Sequence, residues 1–259
     1  MYFDSHAHLC DAKFDGDRDA IYAALPGAGV TRVMEVGCDL PSSEAAVAWA
    51  EAHEGVWAAV GSHPDDADHL DEARVSRYRE LAASPKVRAI GEIGLDYHYE
   101  DVPRDLQKTA FERQLALARE LRLPAIVHER EAHGDAMDLI RRFPDVRGVF
   151  HCYSGSAEQA KELVRLGWYI GFTGVLTFKN ARRAVETALA VPLERILIET
   201  DCPYMAPEPY RGRRNDSRLV PLVAAKLADL RRLTPEEAGR ITAENACRLF
   251  GISEKEEGN

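Results

Sequence analysis

Two histidines one residue apart, His6 and His8 in DSHAHL, are the first residues in the chain whose spacing suggests chemistry. In an extended strand, residues i and i+2 face the same side, so the two imidazoles can grip one metal ion. Four more residues of ligand type end short apolar runs: Glu92 in GEIGLDY, His128 in PAIVHER, His151 in GVFHCYSG and Asp201 in RILIETDCP. A lone charge at such a place is costly to bury, and pairing or metal binding removes that cost. One polar residue at a strand end is ordinary, whereas this set, drawn from separate runs, reads as a metal centre. Mixed nitrogen and oxygen donors suit zinc, manganese or iron better than calcium, with magnesium a further option as the working ion. Two ions need a shared ligand, and Glu92, midway along the strand order, is the candidate bridge. Two divalent cations would outweigh Glu92 and Asp201. The resulting positive centre would attract an anionic substrate, lower the pKa of water and stabilise the entering and leaving oxygens of a hydrolysis.

Other residues gather around this set. His63 ends VWAAVGSHP and can be a further ligand, a phosphate contact or a proton donor to a leaving group. Asp96 shares the face of Glu92 by period-two spacing and is placed to orient a ligand. Cys152 and Cys202 adjoin His151 and Asp201, and alternation turns them outward as small core residues. Arg211, Arg213 and Arg214 form a basic cluster in APEPYRGRRND, and Arg130 shares a face with His128. Planar, bidentate guanidinium groups suit phosphate, so Arg130, Arg211 and Arg213 are candidate substrate contacts. The competing reading is surface charge paired with nearby carboxylates.

The elements that must hold these residues are visible as a repeat. Eight apolar runs (YFDSHAHL, TRVMEVG, VWAAVGSHP, VRAIGEIGLDY, PAIVHER, GVFHCYSG, WYIGFTG and RILIETDCP) alternate with helical patterns. The serines of PSSEAAVAWAEAH suit an N-cap. Phe111, Leu115 and Ala118 mark one face of a helix over 105–121. Gly167 is expected to cap the helix of SAEQAKELVRLG. Thr234 and Glu237 flank Pro235 as a capping box, predicting a helix to Phe250 with Gly251 just beyond. The final SEKEEGN reads as a solvated tail. Strands alternating with helices imply parallel pairing. A closed barrel gathers all strand C-termini at one mouth, where such folds carry their active sites; an open sheet would spread them along an edge. The expected fold class is therefore α/β, a single (β/α)₈ TIM-type barrel over residues 1–259, a length near the ~250 residues typical of that fold.

Composition narrows the function classes. No apolar run approaches the ~18 residues that span a bilayer, and the N-terminus lacks an apolar signal core, so a cytoplasmic protein without membrane partners is expected. Five irregularly spaced cysteines with no C-x-x-C argue against a disulfide framework. A net charge of −10 disfavours nonspecific binding of nucleic acid, though it does not exclude a locally positive site. No stretch reads as a subunit interface.

DSHAHL, GSHP, GEIGLDY, HEREA, HCYSGS, GFTGVLTFKNA, ETDCPYMAPEPYRGRRN and ENACRLF, in this order from Asp4 to Phe250, resemble the TatD-related deoxyribonuclease family of metal-dependent hydrolases. The resemblance implies an amidohydrolase-like barrel with two metal ions. His6, His8 and Asp201 would hold one, His128 and His151 the other, and Glu92 would bridge. It also implies 3′→5′ exonuclease or DNase activity, or deacylation of D-aminoacyl-tRNA. Glu129 stands where a small polar residue is commoner in the family, and Asp216-Ser217-Arg218 replaces a more apolar stretch.

Three functions follow as expectations. In the leading one, a metal-activated water cleaves phosphodiester bonds of DNA, or of RNA, with Asp201, His63 and Glu92 catalytic. The second keeps the site and changes the bond to an ester such as that of aminoacyl-tRNA. The third is a metal-binding protein without turnover, disfavoured because closed structural sites use four ligands and lack an open position.

Overall fold

A computed structural model describes residues 1–99 and 101–253. Eight strands alternate with helices in the predicted order. The strands are β1 (Tyr2–Ala7), β2 (Val30–Val36), β3 (Val56–Val60), β4 (Val87–Asp96), β5 (Ala125–Arg130), β6 (Gly148–Phe150), β7 (Tyr169–Phe172) and β8 (Ile196–Ile198). The helices are α1 (Arg18–Ala24), α2 (Leu40–Ala52), α3 (Glu72–Leu81), α4 (Arg104–Leu121), α5 (His133–Arg141), α6 (Ala157–Arg165), α7 (Arg182–Ala190), α8 (Val220–Arg231) and α9 (Pro235–Phe250). The strands follow one another in sequence order through one eight-stranded sheet, as the expected α/β barrel requires. They are apolar runs rather than alternating ones because a parallel strand under helices is buried on both faces.

The chain forms two compact units, Met1–Glu35 with Cys152–Asn259, and Val36–His151. In the first, β1 pairs with β2 and β7 with β8, all parallel. Ala7 forms a parallel bridge to Cys202, just past β8. Helix α9 seals this unit: Phe250 meets Phe3 at 6.1 Å between ring centroids, and Asn245 donates to the carbonyls of Leu193 and Ile196. In the second unit β3, β4, β5 and β6 pair in parallel. Gly94, at φ +145°, lets β4 lie close to β5, since a Cβ there would stand 2.0 Å from the His128 carbonyl oxygen. Helix α4 buries Phe111, Leu115 and Ala118 as expected, together with Gln107 and Gln114 on the same face.

Cap details differ from expectation in part. Thr234 and Glu237 form the expected capping box of α9, and Gly251 follows at φ +62°. The N-cap of α2 is Asp39 rather than a serine, because Ser42 takes the reciprocal place three residues on. Leu166 is the C-cap of α6, and Gly167, at φ +94°, is the left-handed residue after it. Cys202 is buried as expected. Cys152 is only partly buried, because β6 ends at Phe150 and strand alternation no longer governs a turn residue at φ +42°. Of the expected tail, residues 254–259 lie outside the described residues. No helix among the described residues is long and apolar enough to cross a membrane.

Candidate metal centre

In the first unit, the end of β1 and the residue just past it bring two imidazoles together. His6 Nε2 lies 3.0 Å from His8 Nε2, and Asp201 Oδ1 lies 3.8 and 3.5 Å from them. Main-chain bonds set this register: the Asp201 N–H donates to the His6 carbonyl at 2.9 Å, and the His8 N–H to the Cys202 carbonyl at 3.0 Å. Asp201 adopts φ +55°, a left-handed conformation that aspartate tolerates better than most residues. Its neighbours are held from behind. The buried Asn215 donates to the carbonyls of Thr200 at 2.8 Å and Tyr204 at 2.7 Å. Asp4 accepts the N–H of Thr200 at 2.8 Å and the Thr200 hydroxyl. Burial pushes Asp4 up to about 6 despite those bonds. Glu35 is buried inside β2 and accepts the N–H groups of Leu9 at 2.9 Å and Cys10 at 2.7 Å, which fixes the turn after His8. Burial raises it to about 7, against the pull of those donors.

In the second unit, a carboxylate meets three imidazoles. Glu92 Oε1 lies 2.6 Å from His151 Nε2, 3.0 Å from His128 Nδ1 and 3.7 Å from His63 Nε2. His128 Nδ1 and His151 Nε2 are 3.3 Å apart. On its far side His128 Nε2 meets Asp96 Oδ2 at 3.0 Å, a contact through which Asp96 could orient a ligand. Burial alone would lower the pKa of His128, but the flanking carboxylates of Asp96 and Glu92 outweigh it and raise it to about 10. The pocket thus favours a positive charge at this position. Helix α4 secures the strand ends. Gln107 accepts from the Asp96 N–H and donates to the Asp96 carbonyl, both at 2.8 Å. Gln114 does the same for Ser62, beside His63, at 2.7 and 3.0 Å. Each amide mimics a neighbouring strand where the sheet's own pairing runs out.

Both groups fit a divalent ion. Zinc bonds of ~2.0–2.1 Å in a tetrahedron put ligand atoms about 3.3 Å apart, and the separations within the two groups run from 2.6 to 3.8 Å, on either side of that value. Nitrogen donors with one carboxylate in each group match zinc or manganese. The carboxylate-to-histidine contact at Asp96 is the arrangement that fixes the tautomer of a ligating imidazole.

The remaining predicted residues divide. His63 caps the turn after β3, its Nδ1 accepting the Asp65 N–H at 3.2 Å, with its ring edge-on to His128. Arg214 is bound to Asp17 by both nitrogens, so for it the paired-surface reading holds. Arg211 and Arg213 are exposed after β8, and Arg130 lies over the ring of Tyr99 at 5.2 Å. Glu129 turns away to accept the Ala132 N–H at the start of α5. Sequence reasoning missed Asp4, Glu35, Gln107, Gln114 and Asn215. A carboxylate inside a valine-rich strand and two glutamines seven apart on a buried helix face were the available signals.

Comparison with known proteins shows the family and the fold. Residues 3–251 match the family described as TatD related DNase. The uncharacterised metal-dependent hydrolase YabD of Bacillus subtilis is 42% identical over 255 residues, spanning 98% of this chain and all of its own. A 3′-5′ ssDNA/RNA exonuclease TatD of Cronobacter sakazakii is 36% identical over 258 residues, covering 96% of this chain and 97% of its own. The crystal structure of the TatD homologue YJJV from Escherichia coli K12 superposes with a TM-score of 0.91 at 29% identity, covering 97% of this chain and 98% of that one.

Proposed function

Because the chain belongs to the TatD-related DNase family and is a metal-dependent hydrolase, we propose that it cleaves phosphodiester bonds of single-stranded DNA or RNA from the 3′ end. The observation that carries this reading is the pair of donor groups at strand ends, His6–His8–Asp201 and Glu92–His128–His151, each closed by one carboxylate. The description of the Cronobacter relative as an ssDNA/RNA exonuclease supports the choice of substrate.

In this reading two divalent ions, zinc, manganese or magnesium, supply Lewis acidity toward the phosphate and lower the pKa of water. Glu92 has two carboxylate oxygens and is the ligand proposed to be shared. Asp201 receives the proton of the attacking water. His63 contacts the phosphate or protonates the leaving oxygen. Arg211, Arg213 and Arg130 bind flanking phosphates, for which guanidinium forks are suited. Residues 1–259 act as one catalytic domain, in the cytoplasm.

The test is incubation of metal-loaded protein with a 3′-labelled and a 5′-labelled single-stranded oligonucleotide. Release of mononucleotides from the 3′ end, lost in His6→Ala and Asp201→Asn, is expected. Hydrolysis of D-aminoacyl-tRNA with no cleavage of either oligonucleotide would overturn the reading in favour of an ester substrate.

A further inference from the structure

The segment that carries Asp201 continues into a long loop, residues 202–216, which is pinned along its length. Asn215 holds the Tyr204 carbonyl, and Glu208 N–H donates to Thr177 Oγ1 at 2.8 Å. The Met205 carbonyl rests on Gly174, where a Cβ would come within 2.0 Å of it. A loop so fixed would ordinarily bury its large side chains. Instead Tyr204, Met205 and Tyr210 are 50, 41 and 39% exposed, three of the seven large apolar side chains exposed among the described residues.

Positive charge accompanies the rings. Lys13 Nζ lies 4.3 Å over the Tyr204 ring and 3.2 Å from its hydroxyl. The Arg211 guanidinium lies 4.2 Å over Phe178. Lys13, Arg211 and Arg213 have no carboxylate partner among the described residues, whereas Arg214 next to them is tied to Asp17. Within residues 202–216 three arginines stand against Glu208 and Asp216, in a chain of net charge −10. Exposed rings interleaved with unneutralised cations match a ligand with flat apolar faces and regularly spaced negative charges. A single-stranded polynucleotide has both, whereas a duplex hides the faces of its bases.

We propose that Tyr204 and Tyr210 form a base-stacking platform for single-stranded nucleic acid beside the Asp201 group, with Lys13, Arg211 and Arg213 on the phosphates. The Tyr204 N–H donates to the Asp201 carbonyl at 2.9 Å, so a strand stacked on this ring is delivered next to the metal ligand. The inference rests on the nuclease reading of the site and names how that site takes its substrate.

The experiment is fluorescence anisotropy of metal-loaded protein with a labelled single-stranded oligothymidine phosphorothioate, which resists cleavage. Stacking on an aromatic side chain is worth roughly 5- to 150-fold per base, so Tyr204→Ala with Tyr210→Ala is expected to weaken binding by at least about tenfold. The pair Tyr204→Phe with Tyr210→Phe, which keeps both rings, is expected to bind within about twofold of the parent. Arg211→Gln is expected to reduce the salt dependence of binding by about one phosphate contact. Binding unchanged in the double alanine variant, absent in the parent, or equal for a duplex would overturn the platform. Cleavage of an ordinary oligonucleotide is scored separately: cleavage with ring-independent binding rejects the platform alone, and ring-dependent binding without cleavage rejects the nuclease reading alone.

Discussion

Gln107→Leu probes the support of the proposed metal centre without touching a candidate ligand. Gln107 is buried in α4 and makes three hydrogen bonds, two with the Asp96 peptide groups at 2.8 Å and one to the Val102 carbonyl at 3.0 Å. Leucine has a similar volume, so no large cavity forms and the loss is mainly that of polar pairing. At about 1–1.5 kcal/mol for each bond left unmade in the interior, the substitution should cost about 3–5 kcal/mol. Urea unfolding, with midpoint and slope both fitted, measures it. The site should respond as well. Asp96 orients His128 through a 3.0 Å contact, so loosening Asp96 should weaken metal binding in the second unit, as Asp96→Asn does directly. Losing such an orienting carboxylate costs about 10- to 100-fold in affinity. A chelator competition assay should therefore show Gln107→Leu and Asp96→Asn weakening the same ion, with the double variant less than additive. A loss of stability below about 1 kcal/mol with unchanged affinity would refute the argument, because it would mean that the Asp96 peptide is re-paired without the glutamine.

Asn215→Ala removes both donors behind Asp201 and should cost about 2–4 kcal/mol by urea unfolding, with a lower rate of metal-dependent hydrolysis. Asn215→Asp should be worse than alanine, since it sets a carboxylate against two carbonyls. Glu35→Ala strands the N–H groups of Leu9 and Cys10 and should cost about 2–4 kcal/mol, while Glu35→Gln keeps one acceptor and should recover part of it in the same assay. Gly174→Ala places a Cβ 2.0 Å from the Met205 carbonyl oxygen. The backbone must move, so a loss of about 1–3 kcal/mol together with weaker oligonucleotide binding is expected by unfolding and anisotropy.

The strands were legible because helices on their outer side make them apolar runs, and each observed strand falls within or within one residue of its run. The six ligand candidates were legible because histidine and carboxylate are unexpected at the ends of such runs. What stayed hidden is the support. Gln107, Gln114, Asn215 and Glu35 act on backbone amides and carbonyls, and those partners leave no mark in residue type or spacing. Arg214 looked equivalent to Arg211 and Arg213 until its partner Asp17, far away in sequence, was in view. Cys152 shows the limit of period-two reasoning, which fails where a strand stops before its run does.

Counting bound ions decides whether the six ligand candidates hold metal. Protein purified without chelator or added metal, then equilibrated with manganese or zinc and desalted, should carry two ions per chain by plasma mass spectrometry. Asp201→Asn with His6→Ala should keep the ion of the Glu92 group, and His128→Ala with His151→Ala the ion of the other. No bound ion in the parent, or a full complement in both double variants, would contradict the claim that these strand-end histidines and carboxylates are the metal centre.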